Sequence, residues 1–397
     1  MTKGALDGVK IVDLSRMAPG PFCSMMLGDM GADVIKVEAP PTSRIIASKI
    51  INDAETRKKA ASNPLNRNKR SIVLDLKEKD GIKILHQLCQ KADVFIEGFR
   101  PEVVTRLGCN YETIKEINPS IIYCSISGYG QTGPYKDLVG HDVNYISVGG
   151  ALGLIGSKNG TPSIPYNLIA DFAAGGMNAA YSIVCALFSR TNTGRGQKID
   201  TAMSDGVTYL LSAISGEYFN SGLIPKPGQM TLNGGVPYYN VFECQDGKYI
   251  SLGCIEPNFW KNLCSTLNLE QFASSQHNEH EYQLIMRELE ATFKTKKRDE
   301  WWDIFREAED VAAAPVYEFN EVLDDPHMKA RNMFIEAGSI DGAIVTQVGF
   351  GSKLTDTPGA VRNLGTIPGA HSENILREIG YSVDEIKKMV DSEIVFA

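Results

Sequence analysis

Three polar residues stand in settings that suit proton chemistry. His141 lies in Gly140-His141-Asp142-Val143-Asn144-Tyr145, just after the glycine-rich loop Ser127-Gly128-Tyr129-Gly130-Gln131-Thr132-Gly133-Pro134. A histidine at a helix start feels the positive end of the helix dipole, which favours the neutral imidazole that a general base needs. The same placement equally suits a histidine that only bonds backbone. Asp171 follows an apolar run in Pro165-Tyr166-Asn167-Leu168-Ile169-Ala170-Asp171-Phe172 and opens an Ala/Gly-rich helix, Ala173-Ala174-Gly175-Gly176. Small residues let backbone approach a ligand closely, but a plain N-cap aspartate reads the same way. Glu256 lies in Gly253-Cys254-Ile255-Glu256-Pro257-Asn258-Phe259-Trp260. If buried, it needs a partner or a raised pKa; ahead of Pro257 it also reads as an ordinary carboxylate at a helix start. Spacing does not join the three locally, so only folding or association of two chains can bring them together.

The elements that must position them alternate in type. Residues 9–14, 32–38, 71–76, 94–96, 121–127 and 197–201 read as strands, and 22–30 and 80–91 as helices, with Gly31 ending the first. Strands alternating with helices predict a parallel sheet covered on both faces, like the first half of a Rossmann-type domain. The turn after the first strand, Ser15-Arg16-Met17-Ala18-Pro19-Gly20-Pro21, lacks a Gly-x-Gly-x-x-Gly, which leaves a nicotinamide dinucleotide without support. Residues 40–67 are polar and read as a long loop or short helices. Helices are expected over 143–155, 172–190 and 203–215. Residues 219–234 are rich in Gly and Pro and read as a linker. A smaller α+β unit over 235–330 opens with a hairpin (239–244 and 249–252, joined at Gln245-Asp246-Gly247) and continues as amphipathic helix over 281–308. The expected division is 1–218, linker 219–234, small domain 235–330, and 331–397, a linker followed by two short C-terminal helices joined at Gly380 that return to the large domain.

The 397 residues carry a net charge of −8, which argues against a general nucleic-acid binder. The eight cysteines form no Cys-x-x-Cys pair, so neither a zinc site nor a dithiol motif is suggested. Cys23, Cys185 and Cys264 sit in apolar surroundings and are expected as buried thiols. No signal-type segment and no run of eighteen apolar residues is present, so neither a membrane span nor export is expected, and the location expected by default is cytoplasmic.

Taken together, these segments resemble the family III CoA-transferases, the carnitine-dehydratase and bile-acid-inducible type, and within them the α-methylacyl-CoA racemases. The resemblance runs from about Leu6 to the C-terminus. It includes residues 8–38, Asn66-Arg67-Asn68-Lys69-Arg70-Ser71, Leu74-Asp75-Leu76-Lys77, Glu97-Gly98-Phe99-Arg100-Pro101, Gly194-Arg195-Gly196-Gln197 and His371-Ser372-Glu373-Asn374-Ile375-Leu376. It implies an interlocked homodimer, and it assigns Asp171, His141 and Glu256 to the racemase site: two bases, and a carboxylate that hydrogen-bonds the histidine. In the transferases the matching aspartate is instead a nucleophile that forms an anhydride and then an aspartyl-CoA thioester. The sequence departs from the racemase pattern in a long 41–66 loop, in Ala39 where an arginine is frequent, and in the lack of a cysteine near Asp310-Val311-Ala312.

The resemblance thus implies an acyl-CoA thioester substrate whose 2-methyl stereocentre is inverted by two-base proton transfer through an enolate. Backbone N–H groups near the start of the Asp171 helix are the expected enolate donors. No metal is expected, and no cofactor beyond the coenzyme A part of the substrate. Its phosphates call for a local basic rim. Arg67, Lys69, Arg70, Lys77, Arg100 and Arg106 are the supply in or near the matched segments, and Leu74, Gly98, Gly140, Asp142 and Tyr145 complete the expected contacts. Met17, Met25 and Met26 suit either a tolerant acyl pocket or plain core.

Overall fold

The computed structural model describes residues 3–40 and 53–396, so most of the polar 40–67 loop's first half lies outside the described residues. In chain order the strands are β1 (Lys10–Asp13), β2 (Asp33–Glu38), β3 (Lys69–Leu74), β4 (Val94–Glu97), β5 (Ile122–Ser127), β6 (Lys198–Ala202), β7 (Tyr239–Glu243), β8 (Tyr249–Gly253), β9 (Ala313–Val316), β10 (Phe334–Ile340), β11 (Ala343–Val348) and β12 (Val395–Phe396). Among the described residues a seven-stranded sheet runs in the order β12-β3-β2-β1-β4-β5-β6. Its strands are parallel except the last residues of the chain, β12, which pair antiparallel with β3. The central strands are apolar and β-branched because both faces are covered. On one face Ile84, Leu85 and Leu88 of α2 (Lys79–Gln90, taking Pro19–Asp29 as α1) pack with Ile375, Leu376 and Ile386 against Val12, Ile72 and Phe95. On the other, Cys23 and Leu27 of α1 pack with Ala179, Ile183 and Ala186 against Ile11, Val94 and Ile122.

The chain divides into two compact units, one of residues 1–149, 166–210 and 326–397, the other of 150–165 and 211–325. The expected division therefore shifts. Residues 150–165 join the second unit, which begins at 211 rather than 235, and the chain returns at 326 rather than 331. The second unit has a three-stranded antiparallel sheet, β7-β8-β9, over a core of Trp260, Leu263, Leu289, Phe293, Trp301 and Phe305. Both indoles find carbonyl acceptors, Trp260 at Phe272 and Trp301 at Phe293.

Several boundaries differ from the sequence reading, each for a local reason. Pro19-Gly20-Pro21 is not a free turn but the first turn of α1, where a proline's fixed φ suits a helix start. The 203–215 helix is two, Met203–Leu210 and Ser212–Ser221, so the linker starts after Gly222, which takes the left-handed conformation. The 281–308 helix is also two, Tyr282–Phe293 and Arg298–Glu307. The hairpin β10–β11 lies in a stretch read as linker; its Asp341-Gly342 turn, both residues at positive φ, is the signal that marks it. Cys23 and Cys264 are buried as expected, but Cys185 is exposed, because it lies on the outward side of its helix.

Arg67 does not belong to a basic rim. Its guanidinium is buried and forked onto the Asp29 carboxylate (2.9 and 2.5 Å), donates to the Val348 carbonyl (2.6 Å), and lies over the Phe350 ring. Burial raises the Asp29 carboxyl pKa, and Arg67 opposes the rise. Removing one partner of such a pair strands a buried charge. Arg67→Met is expected to lower unfolding free energy by about 3–5 kcal/mol in urea titration.

Candidate active site

The sheet order reverses direction beside β1: the chain builds outward through β2 and β3 on one side and through β4, β5 and β6 on the other. Loops leaving β1 and β4 therefore part, and a crevice opens at the carboxyl ends of the strands, where ligands bind in open α/β sheets. Here it is a cavity of about 510 Å³. Ser15, Arg16 and Met17 after β1 form one wall, and Gly98, Phe99, Arg100 and Pro101 after β4 another. Ser127, Gly128 and Tyr129 continue from β5, and Gly140, His141, Tyr145 and Asp171 also face it.

Two helix starts deliver the reactive groups. His141 precedes α3 (Asp142–Val148) at its N-cap, with its amide donating to Asn144 Oδ1 (3.0 Å). Asp171 lies in the first turn of α4 (Leu168–Thr193), whose opening section, Leu168–Met177, is wound as a π-helix. It is not the N-cap; Asn167 holds that place and donates to Asp171 Oδ2 (2.9 Å). The wide turns leave early amides without helical acceptors. The buried carboxylate of Asp142 takes two of them, Ala170 (2.7 Å) and Asp171 (2.9 Å). Its other oxygen, Oδ1, is buried with no partner among the described residues. Close packing against α1 also shapes this segment: a Cβ on Gly176 would meet the Pro19 carbonyl oxygen at 2.7 Å. By length and composition α4 is apolar enough to cross a membrane, yet Ala179, Ile183 and Ala186 pack it on the sheet.

Electrostatics separate the groups. Burial raises the Asp171 carboxyl pKa above its ordinary value; the Asn167 hydrogen bond opposes this, the Asp142 charge adds to it, and His141 works against it. Tyr145 donates its hydroxyl to the Gly140 carbonyl, and burial pushes it up to about 12, which keeps it a neutral donor. Gly128 is obligatory beside it, since a Cβ there would lie 2.3 Å from Tyr145 Cε1. A carboxyl poised to hold or release a proton thus shares one crevice with an exposed imidazole. Such a pair can move protons between two faces of a bound molecule; the carboxylate alone can also act as a nucleophile.

A model of CoA-transferase family III matches residues 6–372. The chain belongs to that family. It is 37% identical over 394 residues to the "Alpha-methylacyl-CoA racemase" of Homo sapiens, covering 98% of this chain and 97% of the relative. It is 31% identical to the "Succinate--glutarate CoA-transferase" of Agrobacterium fabrum, covering 95% and 96%. Among solved structures, a CAIB/BAIF family protein from Brucella suis superposes with a TM-score of 0.78 at 29% identity, covering 96% of this chain and 100% of that one. The mixed α/β fold with its mostly parallel sheet is that of these family III structures, and the chain is an enzyme of this superfamily.

The residues expected to bind coenzyme A separate on inspection. Gly98, Arg100, Gly140 and Tyr145 line the crevice, and Asp142 lies buried beneath it as the cap of α4. Leu74 is core in β3. Lys69 is buried and Arg70 is paired with Asp33 and Glu378, so neither forms a rim. Lys77 and Arg106 are exposed but not part of the crevice wall. The cations that do line it with Arg100 are Arg16, stacked 5.7 Å from the Phe99 ring centre, and Lys136. Sequence reading missed both, although Arg16 stands in the turn it singled out after β1. Met17 lines the crevice, while Met25 and Met26 pack in the core. The expected backbone donors near Asp171 are already committed in part, since Asp142 holds the Ala170 and Asp171 amides. Glu256 is exposed at the start of the helix Pro257–Thr266, in the second unit. Among the described residues no group of three or more His, Cys, Asp or Glu is arranged to hold a metal. Asp142→Asn removes a negative charge near Asp171, so Asp171 should give up its proton at lower pH than in the native protein. A carbon-13 NMR titration of the labelled carboxyl reads the shift.

Proposed function

We propose that the enzyme inverts the stereocentre next to the carbonyl of 2-methyl-branched acyl-CoA thioesters. The observation that carries this reading is that His141 and Asp171 line one crevice at the switch point of the sheet. The racemase relative supports it. One group takes the α-proton as the C–H pair passes into an enolate; the other, protonated, returns a proton to the opposite face of the α-carbon. In the reverse direction the roles exchange, so each turnover leaves the enzyme with one proton moved from one base to the other. The raised pKa of Asp171 suits it to hold a proton between steps. Arg16, Arg100 and Lys136 supply positive charge for the phosphates of coenzyme A.

We also propose that two chains associate. Tyr181 (68% exposed) and Phe188 (71%) project from α4 with Val184, a set of large apolar side chains of the kind that protein interfaces cover. Phe188→Asp is expected to shift the sedimentation velocity from dimer to monomer.

A second reading has its own support. The crevice carboxylate of Asp171 is also what a transferase nucleophile requires, and transferase relatives match over nearly the whole chain. Deuterium exchange at the α-carbon of a 2-methylacyl-CoA in heavy water separates the two. The racemase reading expects rapid exchange with loss of optical purity, slowed about 10²–10⁴-fold by His141→Ala and by Asp171→Ala. Absence of exchange, with coenzyme A moving to a free acid and hydroxylamine inactivating only when Asp171 is present, establishes the transferase instead.

A further inference from the structure

Lys69 opens β3 and is enclosed, its side chain reaching to the carboxyl end of β1. Its ammonium donates to Ser24 Oγ (2.6 Å) and to the Pro21 carbonyl (2.9 Å), and lies 3.6 Å from Asp13 Oδ2. Asp13 is the last residue of β1 and is wholly buried. It accepts from the amide of Ser15 (2.8 Å) and from the hydroxyls of Ser15 and Ser24. The turn that follows closes tightly on this cluster, and a Cβ on Gly20 would strike Ser15 at 2.1 Å. Ser15, Arg16, Met17, Pro19 and Gly20, the residues so tethered, form one wall of the crevice. A hydrophobic side chain of similar size would fill the space with less desolvation. What the charge adds is a fixed set of directions for the atoms around it.

We propose that Lys69 is a positioning residue: with Asp13 it holds the 15–18 turn and the first turn of α1 in the shape that receives the coenzyme A thioester. This rests on the acyl-CoA reading for its kinetic consequence. The tether to Asp171 is separate, since Asp142 holds the start of α4. Losing Lys69 therefore weakens substrate binding more than it slows proton transfer. The groups facing Lys69 are Asp13 on β1, Cys23 and Ser24 on α1, and Lys36 on β2, itself paired with Glu38. Burial holds the ammonium down at about 8, against 10.5 for an ordinary lysine. Between those values the unfolded chain binds more protons than the folded one, so this group's contribution to stability rises with pH. The turn, by contrast, loses its charged anchor over the same range. Wall order and global stability should thus move in opposite directions, which a merely structural lysine would not produce.

Amide exchange by mass spectrometry, corrected for intrinsic rates, reads the turn directly. Native protein should show protected amides at Ser15, bonded to Asp13 Oδ1, and at Phe22, bonded to the Ala18 carbonyl, at pH 7, losing protection by pH 9. Lys69→Met should be unprotected at both. In the α-carbon exchange assay the variant should raise KM about tenfold through the disordered wall, with kcat within about threefold. Where Lys69→Met does not fold, Asp13→Asn/Lys69→Met removes both charges together and is expected to give the same pattern. Unchanged protection at the turn in the folded variant, or a fall in kcat that tracks lost thermal stability with KM unchanged, overturns the proposal. If native protein shows no α-carbon exchange, the functional reading fails, and turn protection alone decides the role of Lys69.

Discussion

The carboxylate of Asp142 ties two helix starts into one unit. From the first position of α3 it accepts the amides of Ala170 and Asp171 in the opening turn of α4. His141 is its neighbour in sequence, and Asp171 belongs to the turn it caps. A single buried acceptor therefore fixes two side chains that stand thirty residues apart. The π-helical winding makes this geometry available, because wider turns leave amides for an outside acceptor. Glycine at 176, pressed on the Pro19 carbonyl, lets the same segment lie close against α1.

The sheet supplies the place and the buried ions supply the walls. Reversal of strand order beside β1 opens a crevice that no single loop has to create. The loop after β1 is then pinned from below by Asp13 and Lys69, and the end of α1 by Asp29 and Arg67. Such pairs add little net stability compared with apolar packing. Their worth lies in direction, since each oxygen and each N–H accepts only certain partners.

Racemase and transferase chemistry ask different things of the same crevice. Both need a thioester held beside Asp171. Proton transfer needs a second base in reach of the opposite face, while acyl transfer needs an unobstructed carboxylate oxygen. Asp171 is half-buried with a raised pKa and shares its cavity with His141.

Much of this protein is written locally. The apolar β-branched runs, the Pro19 helix start, Gly31 and the strand–helix alternation give a parallel sheet covered on both faces, because these features depend on residues close in the chain. The types of His141, Asp171 and Arg100, with the family resemblance around them, mark the candidate site in the same way. Tertiary structure alone decided the rest. Arg67 and Lys69 read as surface cations until Asp29 and Asp13, from distant strands and helices, are seen to enclose them. Arg16 and Lys136 become crevice cations only when the loops that bear them converge. Burial and charge pairing are sums over neighbours remote in sequence, and no window of the chain contains those neighbours.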